Sequence, residues 1–342
     1  MNNYESKVIP TSYMYENIID YSKIINTYCD CETETIRINC TRFSLSEYKN
    51  HIEIIRNTFK KYGRKIEIMT DIPFPGTKTR MEYIGDKEFF TFEKNQRYSI
   101  VKSLDDLKFN KNICFDNDLF FERLKIDDRI LLGDNDIMLS IIDVSPNEVI
   151  AASLNTGTVM YRKAAYSSGS FFVHENMDKF KEYYVDFLKN IQPESIVFSF
   201  IERDEDLINI KHCLESNNIF SKIISKIETP FAVKNIERIA DHSDGVLIGR
   251  GDLGITSKQA LFMSNVIKSI NYCMKKNMRT IVATDLLESL TINFNQLNRA
   301  ELSDIYFLKL LGVNEFVASS NISRNSNSFR KFNSIVKTTK VI

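Results

Sequence analysis

Short runs of β-branched residues alternate with amphipathic stretches along most of this chain. That alternation restricts the fold more than any other feature. Strand–helix–strand repetition requires parallel pairing, with helices covering the sheet. Eight runs read as strands: Lys7–Pro10, Thr35–Cys40, Lys65–Asp71, Ser195–Phe200, Lys222–Glu228, Gly245–Ile248, Arg279–Ala283 and Glu315–Ser319. Helical periodicity fills the spaces between them. Leu45 to Lys61 puts Ile52, Ile55 and Phe59 on one face, and Asp204 to Glu215 does the same with Leu207, Ile210 and Leu214. Ser257 to Lys275 aligns Leu261, Val266 and Ile270, and Asn298 to Leu310 aligns Leu302, Ile305 and Leu308. Eight such units predict an α/β fold, a (β/α)8 TIM barrel.

One interval breaks the rhythm. From about Met81 to Ala165 the text turns to short strands and turns, such as Phe90-Thr91-Phe92, Arg129 to Asp134, Met138 to Val144 and Glu148 to Ala152. Strands at this spacing predict a small β-barrel. It follows the third strand, beside the mouth where barrel active sites form, so a water-excluding lid is its natural role. The expected organisation is a barrel domain of residues 1–80 and 167–342, with an inserted β-barrel domain of residues 81–166.

Composition excludes several classes. Across 342 residues, Lys+Arg and Asp+Glu balance at 45 each, so no global field favours nucleic acid or an acidic membrane surface. No apolar run is long enough to span a bilayer, and the N-terminus lacks an apolar signal core. The six cysteines are scattered without C-x-x-C spacing. Reduced thiols and a cytoplasmic location are expected. His51, His174, His212 and His242 have no evident partners in sequence and are expected at the surface.

The chemistry concentrates between residues 226 and 254. Lys226 and Glu228 lie two apart at the end of an apolar run, so a strand aims ammonium and carboxylate to one face. The next strand ends in Gly249-Arg250-Gly251-Asp252-Leu253-Gly254, a glycine-rich turn with a second carboxylate. Two carboxylates on neighbouring strand ends suit a hard divalent cation. Glycines before a helix leave backbone N–H groups free for an anion. A metal-assisted site for an anionic substrate is expected.

Ordered motifs on successive strand ends resemble the pyruvate kinase family over nearly the whole chain. Arg37-Ile38-Asn39 resembles its R-x-N. Asp71 followed by Gly76-Thr77-Lys78-Thr79-Arg80 is similar to D-x-x-G-P-[KE]-I-R, and Arg129 to Leu132 with Asp134 is similar to R-I-L-[LI]-D-D. Lys226-Ile227-Glu228 matches K-I-E, and Gly249 to Gly254 matches A-R-G-D-L-G. Ala283-Thr284 with Leu287-Glu288-Ser289 resembles A-T-Q-M-L-[ED]-S, and Asn298 to Asp304 resembles T-R-A-E-V-[SA]-D.

The resemblance implies roles. Glu228 and Asp252 would hold Mg2+ or Mn2+, which serves as Lewis acid and template for a three-carbon acid. Lys226 would offset charge developing on the phosphoryl group and enolate. Arg37 and Arg80 would bind phosphate oxygens. Thr284 would contact substrate or pass a proton. The turn at Arg250, Gly251 and Asp252 would hold the substrate carboxylate. Asn39 and Asp71 would support a phosphate or monovalent-cation site, and Lys163 a phosphate. Lys78 stands where some members carry Glu and need K+, so K+ is not expected to be required. Asn298 and Glu301 read as a helix capping box, a structural feature. Implied ligands are phosphoenolpyruvate, pyruvate or a related 2-keto acid, with ADP or ATP; an oligomer is compatible.

The departures from the pattern cluster on the nucleotide side. Ile9-Pro10-Thr11-Ser12 replaces T-I-G-P-[AS]-S, Val317 to Ser323 loses the Gly and Glu of M-L-S-G-E, and Lys163-Ala164-Ala165 replaces K-G-V. The Asp71 loop is two residues longer, and Arg42 replaces a His. The family's further α/β domain, and regulation by a sugar phosphate there, are not expected. A kinase must position donor and acceptor in line, so two alternatives stand beside phosphoryl transfer. One is nucleotide-independent enolate chemistry, an aldolase or decarboxylase of 2-keto acids. The other is a non-catalytic homologue with a binding or regulatory role.

Overall fold

The computed structural model describes residues 5–12, 18–40, 45–73, 79–83, 89–103, 112–133, 136–167, 177–292 and 297–341. They fall into two compact units: residues up to Pro73 and from Met177 onward, and the residues between.

In the first unit, β1 (Lys7–Ser12), β2 (Thr35–Asn39) and β3 (Glu67–Ile72) come before the second unit. The second unit carries β4 (Thr79–Glu82), β5 (Phe89–Phe92), β6 (Arg97–Val101), β7 (Asn112–Phe115), β8 (Arg129–Leu132), β9 (Ile137–Val144), β10 (Glu148–Ser153), β11 (Gly157–Met160) and β12 (Ala164–Ser167). The first unit then resumes with β13 (Ser195–Phe198), β14 (Lys222–Ile227), β15 (Gly245–Gly249), β16 (Arg279–Ala283) and β17 (Glu315–Ala318).

The eight strands of the first unit close into a parallel barrel in the order β1-β17-β16-β15-β14-β13-β3-β2. The alternation predicts this barrel because β-branched runs such as Ser195–Phe198 are buried at every position, as parallel strands covered on both faces must be. Seven of the eight strands fill the barrel interior with apolar side chains, among them Ile9, Met69, Val197, Ile224, Leu247 and Ile281. All strands run the same way, so their C-terminal ends gather on one face.

Three local expectations are corrected. The fourth barrel strand stops at Phe198, because Phe200 turns to φ 57, outside the strand region. The helix expected from Ser257 begins at Phe262. Ser257 is extended and ends the preceding helix Arg250–Thr256, and Leu261 is left 51% exposed. His51 is buried rather than on the surface. Its ring stacks on Tyr21 with centroids 4.6 Å apart, and Nε2 lies 3.1 Å from the Tyr21 hydroxyl. Burial pushes the His51 pKa down to about 3. The helices Ile18–Asp30 and Ser326–Thr338, absent from the periodicity reading, pack together through Tyr28 and Phe329.

In the second unit, β4, β6, β7, β8, β9, β10 and β12 pair in the order β10-β6-β7-β4-β12-β8-β9, and β9 pairs back to β10. They enclose a core of its own that includes Met81, Ile100, Ile130, Leu139 and Val149. β5 and β11 form a separate antiparallel pair. The boundary expected at residue 80 falls inside β4.

Candidate active site

At the C-terminal ends of the barrel strands lies a cavity of about 230 Å3. Its walls include Arg37 and Asn39 from β2, Lys226 from β14 and Glu228 just beyond it, Asp252, Thr284, Asp285 and Glu288, and the hydroxyl-bearing residues Thr11, Ser12, Tyr48, Ser319 and Ser320. Parallel closure brings these positions together from strands distant in sequence, so a fixed constellation arises without a dedicated loop.

Arg37 is anchored from both sides. Nε and Nη2 donate to Asp71 Oδ2 at 2.9 and 2.6 Å, and Nη1 donates to Thr11 Oγ1 at 2.9 Å. Asp71 is buried, accepts from Ser199 Oγ at 3.2 Å and has Lys226 Nζ 3.7 Å away. Burial raises the Asp71 pKa, but the Lys226 and Arg37 charges outweigh it and hold the carboxyl below its ordinary range.

Lys226 Nζ lies 2.8 Å from Glu228 Oε1. Burial lowers the Lys226 pKa, yet the surrounding carboxylates of Asp71, Glu228 and Asp252 raise it overall, so the ammonium stays charged. Glu228 is only 1% exposed. Its Oε2 accepts the Phe200 N–H at 2.9 Å, which the left-handed turn at Phe200 makes available. Its Oε1 accepts no hydrogen bond of good geometry despite the nearby ammonium. Burial, then the negative charge of Asp252, push the Glu228 carboxyl upward against the opposing pull of Lys226. Three carboxyl groups here, Asp71, Glu228 and Asp252, face the two cations Arg37 and Lys226.

The expected glycine-rich turn is the end of β15 running directly into the helix Arg250–Thr256, and close approach requires glycine at both Gly249 and Gly251. A Cβ on Gly249 would sit 2.8 Å from Glu228 Cγ, and one on Gly251 would sit 2.8 Å from Thr284 Cγ2. Thr256 Oγ1 donates to the carbonyls of Glu228 and Asp252 at 2.8 and 2.9 Å, which ties the two carboxylate-bearing segments together.

Lys226, Arg37, Asn39, Thr284, Glu228 and Asp252 thus share one cavity, and Gly251 packs directly behind Thr284. Two expected contact residues stand off from it. Asp71 lies beneath Arg37 and Lys226 as their counter-charge. Arg250 is 6% exposed, and its guanidinium is saturated by Asp304 and by the carbonyls of Thr284 and Asp285, so it offers substrate no donor. Arg80 belongs to the second unit, where Nη1 donates to the Arg162 carbonyl at 2.9 Å; Lys163 precedes β12 in the same unit. Lys78 lies outside the described residues.

Sequence reasoning missed Tyr48, whose hydroxyl donates to the Asn39 carbonyl at 2.7 Å, and the wall formed by Asp285 and Glu288. The carboxylate two positions before Leu287 was the available signal for Asp285. Glu301 does not close a capping box on Asn298. It accepts from the backbone N–H and hydroxyl of Ser289, and the Asn298 N–H reaches that same hydroxyl at 3.3 Å.

Among the described residues no group of three or more His, Cys, Asp or Glu side chains is placed to hold a metal, and no helix is long and apolar enough to cross a membrane.

The fold and site define a (β/α)8-barrel protein with a buried lysine–carboxylate constellation at its strand ends. The family model "Pyruvate kinase, barrel domain" matches residues 17–322, and the chain belongs to the pyruvate kinase family. It is 27% identical to a pyruvate kinase of Thermotoga maritima over 292 residues, which cover 84% of this chain and 60% of that protein. It is 29% identical to one of Mycoplasma pneumoniae, over 80% of this chain and 54% of that protein. The chain thus spans little more than half the length of these relatives. A pyruvate kinase structure from Cryptosporidium parvum superposes with a TM-score of 0.82 at 22% identity, covering 97% of this chain and 69% of that one, a likeness of fold.

Proposed function

We propose that this chain catalyses divalent-metal-dependent phosphoryl transfer between phosphoenolpyruvate and a nucleoside diphosphate, by way of a pyruvate enolate. The observation that carries this reading is the cavity lined jointly by Arg37, Lys226, Glu228, Asp252 and Thr284.

Glu228 and Asp252 fit a hard cation. Their carboxyls are close enough to raise the Glu228 pKa, and a buried Glu228 oxygen accepts no well-formed hydrogen bond beyond its ion pair with Lys226. When bound, such an ion supplies Lewis-acid polarisation of substrate oxygens. Arg37, held rigid by Asp71 and Thr11, binds the phosphoryl oxygens. Lys226 neutralises charge as the phosphoryl group leaves the enolate oxygen. The N–H groups at Gly251 and Asp252 face the substrate carboxylate, and Thr284 lies beside the carbon that gains a proton. We assign the second unit as an inserted β-barrel domain, with Arg80 and Lys163 as its candidate phosphate-binding residues. K+ is not required in this reading, since Asp71 already carries two cationic neighbours.

The test is an assay with phosphoenolpyruvate, ADP and Mg2+ coupled to pyruvate detection. Pyruvate release that requires all three is expected; no turnover with any nucleoside diphosphate overturns the kinase assignment. One observation favours a second reading, nucleotide-independent enolate chemistry. Asp285 and Glu288 add two carboxyl groups to the cavity lining, which disfavours an unshielded diphosphate. Metal-dependent exchange of pyruvate methyl protons without phosphate or nucleotide would select it.

Two variants probe the carboxylates. Glu228→Gln is expected to weaken Mn2+ binding at least roughly tenfold and lower turnover in parallel. Gly249→Ala should displace the same carboxylate and reduce Mn2+ affinity by roughly 10–100-fold in a calorimetric titration. Gly254→Ala is its control, because a Cβ there meets only the Phe262 ring, at 3.5 Å. Equal affinities for the two alanine variants would contradict the placement of Glu228.

A further inference from the structure

We propose that the helix Arg299–Leu310 is the positioning element of this site, gripping both ends of the segment Thr284–Ser289 through Asp304 and Glu301. The inference rests on the reading of Thr284 as a substrate-facing residue.

The segment needs holding. Thr284, Asp285 and Leu287 have φ of 77, 54 and 54, a region that L side chains enter at a cost, and a β-branched threonine most of all. Such a conformation persists only where the surroundings impose it. At the first end the imposing group is Arg250. Its Nε and Nη2 donate to the Thr284 carbonyl at 3.2 and 2.6 Å, and Nη2 also donates to the Asp285 carbonyl at 3.1 Å. Nη1 donates to both oxygens of Asp304, at 2.9 and 2.7 Å. All five N–H groups of the guanidinium are engaged. Asp304 therefore fixes the guanidinium, and the guanidinium fixes two carbonyls.

At the other end Glu301 Oε1 accepts the Ser289 N–H at 3.1 Å, and Oε2 accepts the Ser289 hydroxyl. Glu301 and Asp304 are three residues apart, so one helical face carries both grips. Between the gripped ends, Asp285 and Glu288 line the cavity. Gly251, adjacent to Arg250, packs on Thr284, so a shift in the segment is felt at the glycine turn. Arg250, Glu301 and Asp304 are positioning residues; none of them lines the cavity.

The test compares Asp304→Asn, Glu301→Gln and wild type. The first readout is backbone hydrogen exchange of residues 283–289 without ligand. Exchange there is expected to rise at least tenfold in Asp304→Asn, while the far end of the barrel, around Arg279, stays protected. The second readout splits kcat from Mn2+ affinity: kcat should fall by about 10²-fold, the scale of a small misplacement, with Mn2+ affinity within threefold of wild type. Asp304→Glu should recover part of the loss. If Asp304→Asn does not fold, Glu301→Gln carries the test at the Ser289 end. Unchanged exchange at 283–289, or exchange raised equally throughout the barrel, overturns the grip. Exchange and metal binding need no turnover, so an inactive wild type would count against the kinase reading alone.

Discussion

Lys226→Met is expected to lower turnover by about 10²–10³-fold, the usual cost of removing one preorganised charge-stabilising group, while leaving divalent-metal affinity within a few-fold of wild type. The ammonium lies 2.8 Å from Glu228 and 3.7 Å from Asp71, and three carboxylates keep it protonated. Methionine matches the stem in length and removes only the charge. Ground-state metal binding does not need that charge; a cation competing for Glu228 is removed, so affinity holds or rises. The proposed reaction would need it because negative charge would grow on the enolate oxygen as the phosphoryl group departs. The expected signature is therefore a fall in kcat with a nearly constant Mn2+ dissociation constant, opposite to Glu228→Gln, where both decline together. An unchanged kcat would remove Lys226 from the mechanism.

What the sequence made legible, and what it hid, follows from where each contact originates. Lys226 and Glu228 could be read as a pair because strand alternation is local, and Gly249 to Asp252 because a glycine-rich turn after a strand has few other uses. The eight barrel strands were visible because their β-branched runs need no partner to be identified. Arg250 was hard to place because its motif neighbour Asp252 lines the cavity, whereas its own direction is set by Asp304, 54 positions away. Glu301 had a local reading as a cap, which lost to Ser289 once the chain folded back. His51 lacked any partner in sequence, since the Tyr21 ring that covers it lies on another helix. The left-handed turns at Phe200 and Thr284 are imposed by tertiary hydrogen bonds and leave no propensity signal, as neither residue is glycine or asparagine.

Arg279→Met is expected to cost about 3 kcal/mol of stability and to lower Tm by roughly 4 °C, with little change in the kinetics of the folded fraction. Arg279 sits at the N-terminal end of β16, opposite the cavity. Nε and Nη2 donate to Glu315 at 2.9 and 2.8 Å, and Nη1 and Nη2 donate to Glu67 at 2.6 and 3.1 Å. Glu67 also accepts from Thr35 and Ser195, each at 2.7 Å. One guanidinium thus joins β2, β3, β13, β16 and β17 at the closed end of the barrel. The side chains are 10–22% exposed, which places the cost at the lower end for a broken buried pair. Burial raises the Glu67 pKa, but Arg279 and the two hydroxyls bring it below its ordinary value. A carboxyl depressed on folding stabilises above its unfolded pKa, about 4.3, and that contribution disappears as pH falls through the lower folded value. Without Arg279 only the two hydroxyls oppose the burial, so protonation relieves the variant where it harms wild type. The difference in Tm should accordingly be largest near neutrality and shrink below about pH 4.3. Adding Glu67→Gln to Arg279→Met should recover part of the loss, because the stranded charge is removed. A Tm for Arg279→Met within a degree or two of wild type at pH 7 would mean that the network closes the barrel without stabilising it.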